Sequence, residues 1–303
     1  MKKKLLITGG SGLLAINWAI AFRDKFEITL LLHNRKITLK GVKTKKFTID
    51  TIDKCLLVLE KIQPDIVIHT VGLTDVEECE INPKLAHLVN ADIAKNIAIA
   101  CQSKKIKLVH ISTDHLFSGR NKLVKENEAP CPVNVYGKSK LKGEQLVQEN
   151  CNEPLIIRTN FFGWGAEYRK SFSDFILSSL NNGESINLFN DVFYTPIIIE
   201  QLCIKVHELV NLNANGIYHI GGGERLSKFE FGIKLAYGFD LKVDLINSVS
   251  IKEKSDLVTR PSDMSLSNEK LDKILNFQTP SIDNQIQILK MQQNLGIESR
   301  FKY

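Results

Sequence analysis

Over the first half of the chain, short continuous apolar runs alternate with segments whose apolar residues recur at helical spacing. Residues 4–8, 27–32, 65–70 and 107–111 are runs of the first kind and predict buried parallel strands. Leu13, Leu14, Ile16, Ala19, Ile20 and Phe22 predict a helix, as do Leu56, Leu57, Leu59 and Ile62, which Pro64 stops. Residues 47–50 read as a short third strand with Asp50 at its carboxyl end. A long helix is expected from 83 to about 103, with Leu85, Leu88, Val89, Ile93, Ile97 and Ala100 on one face. Another is expected to about residue 150, with Asn134 as its N-cap. The alternation predicts an α/β fold built on a doubly wound parallel sheet.

After Arg158 the pattern changes to glycines, aromatics and shorter elements. Phe172, Phe175, Ile176 and Leu180 fit one helix, stopped by Asn181-Asn182-Gly183, and residues 198 to about 210 fit another. Ser227 and Glu230 have the spacing of a reciprocal capping pair. The expected organisation is a Rossmann-like nucleotide-binding domain over 1–160, with 193–222 returning to it. A smaller C-terminal α/β substrate-binding region is expected over 161–192 and 223–303.

Composition narrows the class. The 303 residues carry a net charge of +6 without a basic run interleaved with aromatics, which argues against a nucleic-acid partner. No apolar run approaches the ~20 residues of a membrane span. Six cysteines lack any C-x-x-C spacing and read as reduced thiols of a cytoplasmic protein. The acidic stretch Asp75, Glu77, Glu78 and Glu80 reads as a solvated loop entering a helix, and no metal site is expected.

Two motifs carry chemistry. Gly9-Gly10-Ser11-Gly12-Leu13 joins the first strand to the first helix, the context in which a glycine turn lets backbone amides approach a pyrophosphate. Ala15 occupies the third glycine position, where alanine is tolerated. The second strand ends in His33-Asn34-Arg35-Lys36, without the carboxylate that would bond an NAD ribose. The basic pair favours NADPH over NADH. Val71-Gly72 after the fourth strand lets the chain run close along the cofactor.

The second motif is Val135-Tyr136-Gly137-Lys138-Ser139-Lys140. Tyr136 and Lys140 share one helical face, about 5–6 Å apart at Cβ. The ammonium is expected to lower the phenol's ordinary pKa of about 10, making Tyr136 a proton donor for carbonyl reduction. Ser112-Thr113-Asp114 lies at the carboxyl end of the fifth strand, where Thr113 can bond a substrate carbonyl. Arg260 is a candidate partner for a diphosphate.

Strand–GGSG–helix, Ile111-Ser-Thr-Asp-His-Leu-Phe-Ser-Gly119 and Val135-Tyr-Gly-Lys-Ser-Lys-Leu-Lys-Gly-Glu144 together resemble the extended short-chain dehydrogenase/reductase superfamily. Within it the chain is most similar to the dTDP-4-dehydrorhamnose reductase family. The likeness continues through Arg158–Gly163, Tyr194-Thr195-Pro196, Gly216–Gly222 and Arg260–Leu271. The resemblance implies a catalytic triad of Thr113, Tyr136 and Lys140, with Lys140 on the nicotinamide ribose and Asn90 as a helix asparagine near the reaction centre. It implies cofactor contacts from Gly9, Gly10, Ser11, Gly12, Leu13, Asn34, Arg35, Asp50, Thr70, Val71 and Gly72. It places Thr74, His115, Phe117, Asn160, Trp164 and Arg260 with the substrate. His115, where the family usually has tyrosine, and Phe162-Gly163-Trp164-Gly165 depart from the family's wording at positions bordering the sugar.

The expected activity is NAD(P)H-dependent reduction of a nucleotide-diphosphate 4-keto-6-deoxy sugar, as in dTDP-rhamnose and polysaccharide biosynthesis, with a homodimer as an open assembly. Two rivals stand beside it: a nucleotide-sugar epimerase or dehydratase holding NAD, and a non-catalytic NADP-binding regulatory subunit like that of methionine adenosyltransferase. Asp114-His115 after the threonine, in place of an Asp-Glu pair, argues against a dehydratase.

Overall fold

The computed structural model describes residues 2–254, 257–276 and 278–296. The last seven residues of the expected substrate region, 297–303, therefore lie outside the description. The first half runs β1 (Lys4–Thr8), α1 (Leu13–Phe22), β2 (Glu27–Leu32), β3 (Lys43–Lys46), α2 (Ile52–Ile62) and β4 (Ile66–His69). It continues through α3 (Val76–Ile81), α4 (Pro83–His87), a π-helical turn (Leu88–Asp92), α5 (Ile93–Lys104), β5 (Lys107–Ile111) and α6 (Val135–Asn150). The second half begins with β6 (Leu155–Thr159), β7 (Phe161–Phe162), α7 (Phe172–Asn181), β8 (Ile186–Phe189), β9 (Phe193–Tyr194) and β10 (Ile197–Ile198). It ends with α8 (Ile199–Asn211), β11 (Gly216–Ile220), β12 (Leu226–Ser227), α9 (Lys228–Gly238), β13 (Ile246–Val249), α10 (Glu269–Leu275) and α11 (Ile282–Asn294).

The main sheet is parallel throughout, in the order β11-β6-β5-β4-β1-β2-β3. Chain order reverses between β1 and β4, and the carboxyl ends of strands flanking such a switch point open a crevice for ligands. Strands covered on both faces must be apolar throughout, which is why β1, β2, β4 and β5 were legible as continuous runs. Residues 216–220 return to the sheet as β11 beside β6.

Two expectations about elements need correction. The third strand is Lys43–Lys46, not 47–50. It is an edge strand with a mostly exposed burial pattern, so it carries no apolar rhythm, and its lysines suit an unprotected edge. The helix from 83 is broken by the π turn at Leu88–Asp92. The extra residue in that turn rotates the apolar face: Ile97 and Ala100 are fully buried, whereas Leu85 and Leu88 are 42% and 44% exposed. Gly143 of α6 admits this turn, because a side chain there would run into the Asn90 carbonyl.

One buried cluster runs from Ile7 and Leu30 on the sheet through Trp18 and Leu202 to Phe231 and Ile286 of the second half. The second half therefore shares its core with one face of the sheet. Ser227 and Glu230 form the expected capping box on α9. Among the described residues no helix is long and apolar enough to cross a membrane.

Candidate active site

A cleft of about 640 Å³ opens at the carboxyl ends of the sheet strands. Gly9, Ser11, Gly12 and Leu13 line one end, with Thr70, Val71 and Gly72 beside them. Gly9 has φ +68°, and a Cβ there would come within 3.0 Å of Thr70 Oγ1 and Val71 N. Only glycine lets the turn press this close to the β4 loop. Gly12 is the N-cap of α1 and offers no side-chain cap, so first-turn amides face the cleft without an intrahelical partner. A backbone cradle at a helix N-terminus fits a phosphate. Among the charged side chains lining the cleft, Arg35, Lys140 and Arg169 are cationic and Asp114 is the carboxylate, a balance that favours an anionic ligand.

The reaction end is built on α6 and the end of β5. Asn134 Oδ1 accepts from Gly137 N at 2.8 Å, and Glu80 Oε1 accepts from Val135 N at 2.7 Å, fixing the first turn that carries Tyr136. Tyr136 and Thr113 are 7% and 5% exposed, and their side chains interact at the cleft. Thr113 Oγ1 also donates to Asp114 Oδ1 at 3.2 Å, and Asn160 Nδ2 donates to Asp114 Oδ2 at 2.7 Å. The His115 ring meets Tyr136 edge-on, 5.3 Å between centroids.

Lys140 lies one turn beyond Tyr136, but its ammonium donates to the Ile111 carbonyl at 2.8 Å. It does not sit against the phenol, and the expected lowering of the tyrosine pKa is not found. Burial dominates instead and holds the Tyr136 hydroxyl above its usual range, partly opposed by the Thr113 side chain. Burial also lowers Lys140 from 10.5 to about 8, and the Glu144 carboxylate one turn further acts in the opposite direction. Burial lowers His115 as well, so the ring is neutral at pH 7.

The cleft gathers Gly9, Ser11, Gly12, Leu13, Arg35, Thr70, Val71, Gly72, Thr74, Thr113, His115, Tyr136, Lys140 and Asn160 from the expected set. Others stand elsewhere. Gly10 lies beneath the turn, its N–H donating to Leu31 O at 2.8 Å. Asn34 is exposed and does not line the cleft. Asp50 follows β3 by four residues rather than ending a strand, and its carboxylate pairs with Lys54 at 2.8 Å; Phe47, Thr48 and Ile49 take its place. Asn90 acts one layer back. Its side chain bonds Leu73 N, Leu73 O and Ser139 Oγ at 2.8, 3.0 and 2.9 Å, tying the β4 loop to α6.

Phe117 is buried edge-on against His219, with Arg158 over its ring. Trp164 is buried and donates to Leu289 O at 3.0 Å. Arg260 is held bidentately by Glu77 at 2.6 and 2.8 Å, while the neighbouring Thr259 carbonyl accepts from Asn134. The acidic stretch is thus consumed in caps and pairs, with Asp75 capping α3, and no metal-binding cluster occurs among the described residues. Sequence reasoning missed His33, Tyr168 and Arg169, which line the cleft. The glycine-rich setting of Tyr168 and Arg169 signals a loop, but gives no direction in which it folds.

The profile of the RmlD substrate binding domain matches residues 3–293. A probable low-salt glycan biosynthesis reductase of Haloferax volcanii is 25% identical over 94% of this chain and 96% of its own length. The dTDP-4-dehydrorhamnose reductase of Salmonella typhimurium is 28% identical over 71% of this chain and 75% of its own. Among solved structures, dTDP-4-dehydrorhamnose reductase from Bacillus anthracis in complex with NADP superposes with a TM-score of 0.86. It is 28% identical, over 96% of this chain and 100% of that one.

Proposed function

The chain belongs to the RmlD substrate binding domain family, and from that premise we propose that it is an NADPH-dependent reductase of a nucleotide-linked 4-keto-6-deoxy sugar. One observation carries the reading: Tyr136 and Thr113 line, side by side, the same cleft as a glycine turn that can cradle a pyrophosphate. The named functions of the relatives, and the NADP held by the Bacillus anthracis protein, support it.

The cradle at Gly9 and the bare end of α1 would hold the pyrophosphate, Arg35 a 2′-phosphate, and Lys140 the nicotinamide ribose. A bound nicotinamide supplies the hydride. Thr113 then bonds the substrate's carbonyl oxygen, and Tyr136 gives its proton to that oxygen as charge develops there. Burial keeps Tyr136 protonated and therefore competent as a donor, and an alkoxide is basic enough to take the proton without a lowered phenol pKa. The Thr113 hydroxyl donates to Asp114, itself fixed by Asn160, over a long 3.2 Å bond, and it turns from that carboxylate to the carbonyl oxygen when the sugar binds. Residues 161–192 and 223–303 form the substrate-binding region in this reading.

The rivals receive less support. A dehydratase on this scaffold commonly uses an Asp-Glu pair beside the threonine, whereas here Asp114 is bonded by Asn160 and His115 stands in place of the glutamate. A non-catalytic subunit has no use for an assembled Thr113–Tyr136 pair. The test is NADPH oxidation against a panel of nucleotide 4-keto-6-deoxy sugars, run beside Tyr136→Phe. We expect kcat to fall by about 10²–10⁴-fold with NADPH binding retained. Unchanged turnover in the variant removes Tyr136 from the donor role.

A further inference from the structure

The loop between β7 and α7 crosses the cleft as a strap. Its base is fixed: the Asp174 carboxylate accepts from both Gly165 N and Ser171 N at 2.7 Å, and Arg169 N closes a turn on Ala166 O at 2.8 Å. Ala166 is buried, and Asn17 of α1 donates to Trp164 O at 2.7 Å, so the strap is tied down on the nucleotide side as well. Two consecutive residues at its tip reach different segments of the cleft lining. The Tyr168 hydroxyl donates to Ser11 O at 2.9 Å, over the glycine turn, and the Arg35 guanidinium lies 3.9 Å from the Tyr168 ring centroid. Arg169 Nη2 donates to Thr74 Oγ1 at 2.6 Å, in the segment that follows β4.

The cations around the reaction end differ in what they already bind. Lys140 is engaged by the Ile111 carbonyl, Arg260 by the Glu77 carboxylate, and the Lys228 ammonium stands over the Tyr194 ring at 3.4 Å. Arg169 meets only a neutral hydroxyl in its side-chain bond, which uses one of a guanidinium's five donors. It is exposed, it lines the cleft, and its charge reaches Tyr136. The remaining face of its fork has the geometry for paired phosphate oxygens.

We propose that Arg169, presented by this strap opposite Thr74, binds the diphosphate of the nucleotide-sugar substrate, while Tyr168 and Arg35 close the strap over the cofactor end. The assignment rests on the nucleotide-sugar reading above and adds the residue that reads the substrate's anionic portion. It divides the cleft's positive charge between two ligands: Arg35 serves the cofactor and Arg169 the substrate.

The test is calorimetric titration of NADP-loaded protein with dTDP, UDP and GDP, with the matching nucleosides as uncharged controls, in wild type and Arg169→Gln. NADP affinity is measured separately for both. We expect at least one nucleoside diphosphate to bind wild type, and Arg169→Gln to weaken it by about tenfold or more, the loss of a charge-assisted hydrogen bond. Nucleoside and NADP affinities should stay within twofold. Equal diphosphate binding in the two proteins, or a loss confined to NADP, overturns the assignment and leaves the reductase reading standing. Wild type that binds none of the three diphosphates overturns the nucleotide-sugar reading itself, and the assignment with it.

Discussion

Glu144→Gln would strike stability and catalysis through one carboxylate. Glu144 projects from α6 one turn beyond Lys140 and meets Arg158 of β6 with both oxygens: Nη2 at 2.8 Å, Nε at 3.0 and 3.2 Å. The two side chains are 1% and 3% exposed. Neutralising one partner leaves a buried guanidinium without its counter-charge, a loss of about 3–5 kcal/mol. That corresponds to a fall of at least about 5 °C in Tm. Replacing both partners with apolar groups, as in Glu144→Leu with Arg158→Met, removes the orphaned charge and should restore most of the stability.

The second effect is on pH. Burial lowers Lys140 from 10.5 to about 8, and Glu144 is the group that opposes the fall. Below pH 8 the ammonium is charged in folded and unfolded chains alike, and its burial penalty is fully present. Between about pH 8 and 10.5 the unfolded chain holds a proton the folded chain has shed, so stability rises with pH across that window. Activity should move the other way, declining above pH 8 as Lys140 loses its charge. Without Glu144 the lysine titrates lower, and the alkaline limb of the kcat/KM profile shifts to lower pH in both the single and the double variant. Circular-dichroism melts and NADPH-oxidation profiles from pH 6 to 10 read the two effects. A single variant with wild-type Tm and an unmoved alkaline limb would refute the argument at both points.

Two further outcomes follow from the cofactor end. Arg35→Glu should reverse the preference between NADPH and NADH, raising KM for NADPH by about tenfold or more, since a repelled 2′-phosphate replaces a charge-assisted contact; steady-state kinetics with each cofactor checks this. Gly9→Ala adds a Cβ within 3.0 Å of Thr70 Oγ1 and Val71 N at φ +68°. It should destabilise the fold by about 1–3 kcal/mol and weaken cofactor binding, read by urea denaturation and NADPH fluorescence titration.

Where a side chain's neighbours lie within a turn or a strand, the sequence settled much. Buried parallel strands must be apolar along their whole length, so β1, β2, β4 and β5 stood out, and the glycine turn between β1 and α1 followed from order alone. The caps at Asn134 and Ser227 are set by residues three positions on. Tyr136 and Lys140 share a face because α-helical spacing places them there.

Contacts made across the chain were beyond its reach. The β3 edge has no second face to bury, so its position was misread, and the π turn shifted a helical phase that spacing rules assume constant. Helical spacing brought Lys140 near Tyr136, but the Ile111 carbonyl, delivered by β5, decided where the ammonium went. Arg260 and Glu77 are far apart in sequence and were joined only by folding, which moved one expected phosphate ligand into an ion pair. Tyr168 and Arg169 entered the cleft because Asp174 and Asn17 anchor the loop that carries them. A local pattern specifies which groups a segment offers; the long-range hydrogen bonds and charges of the folded chain decide which of them remain available to a ligand.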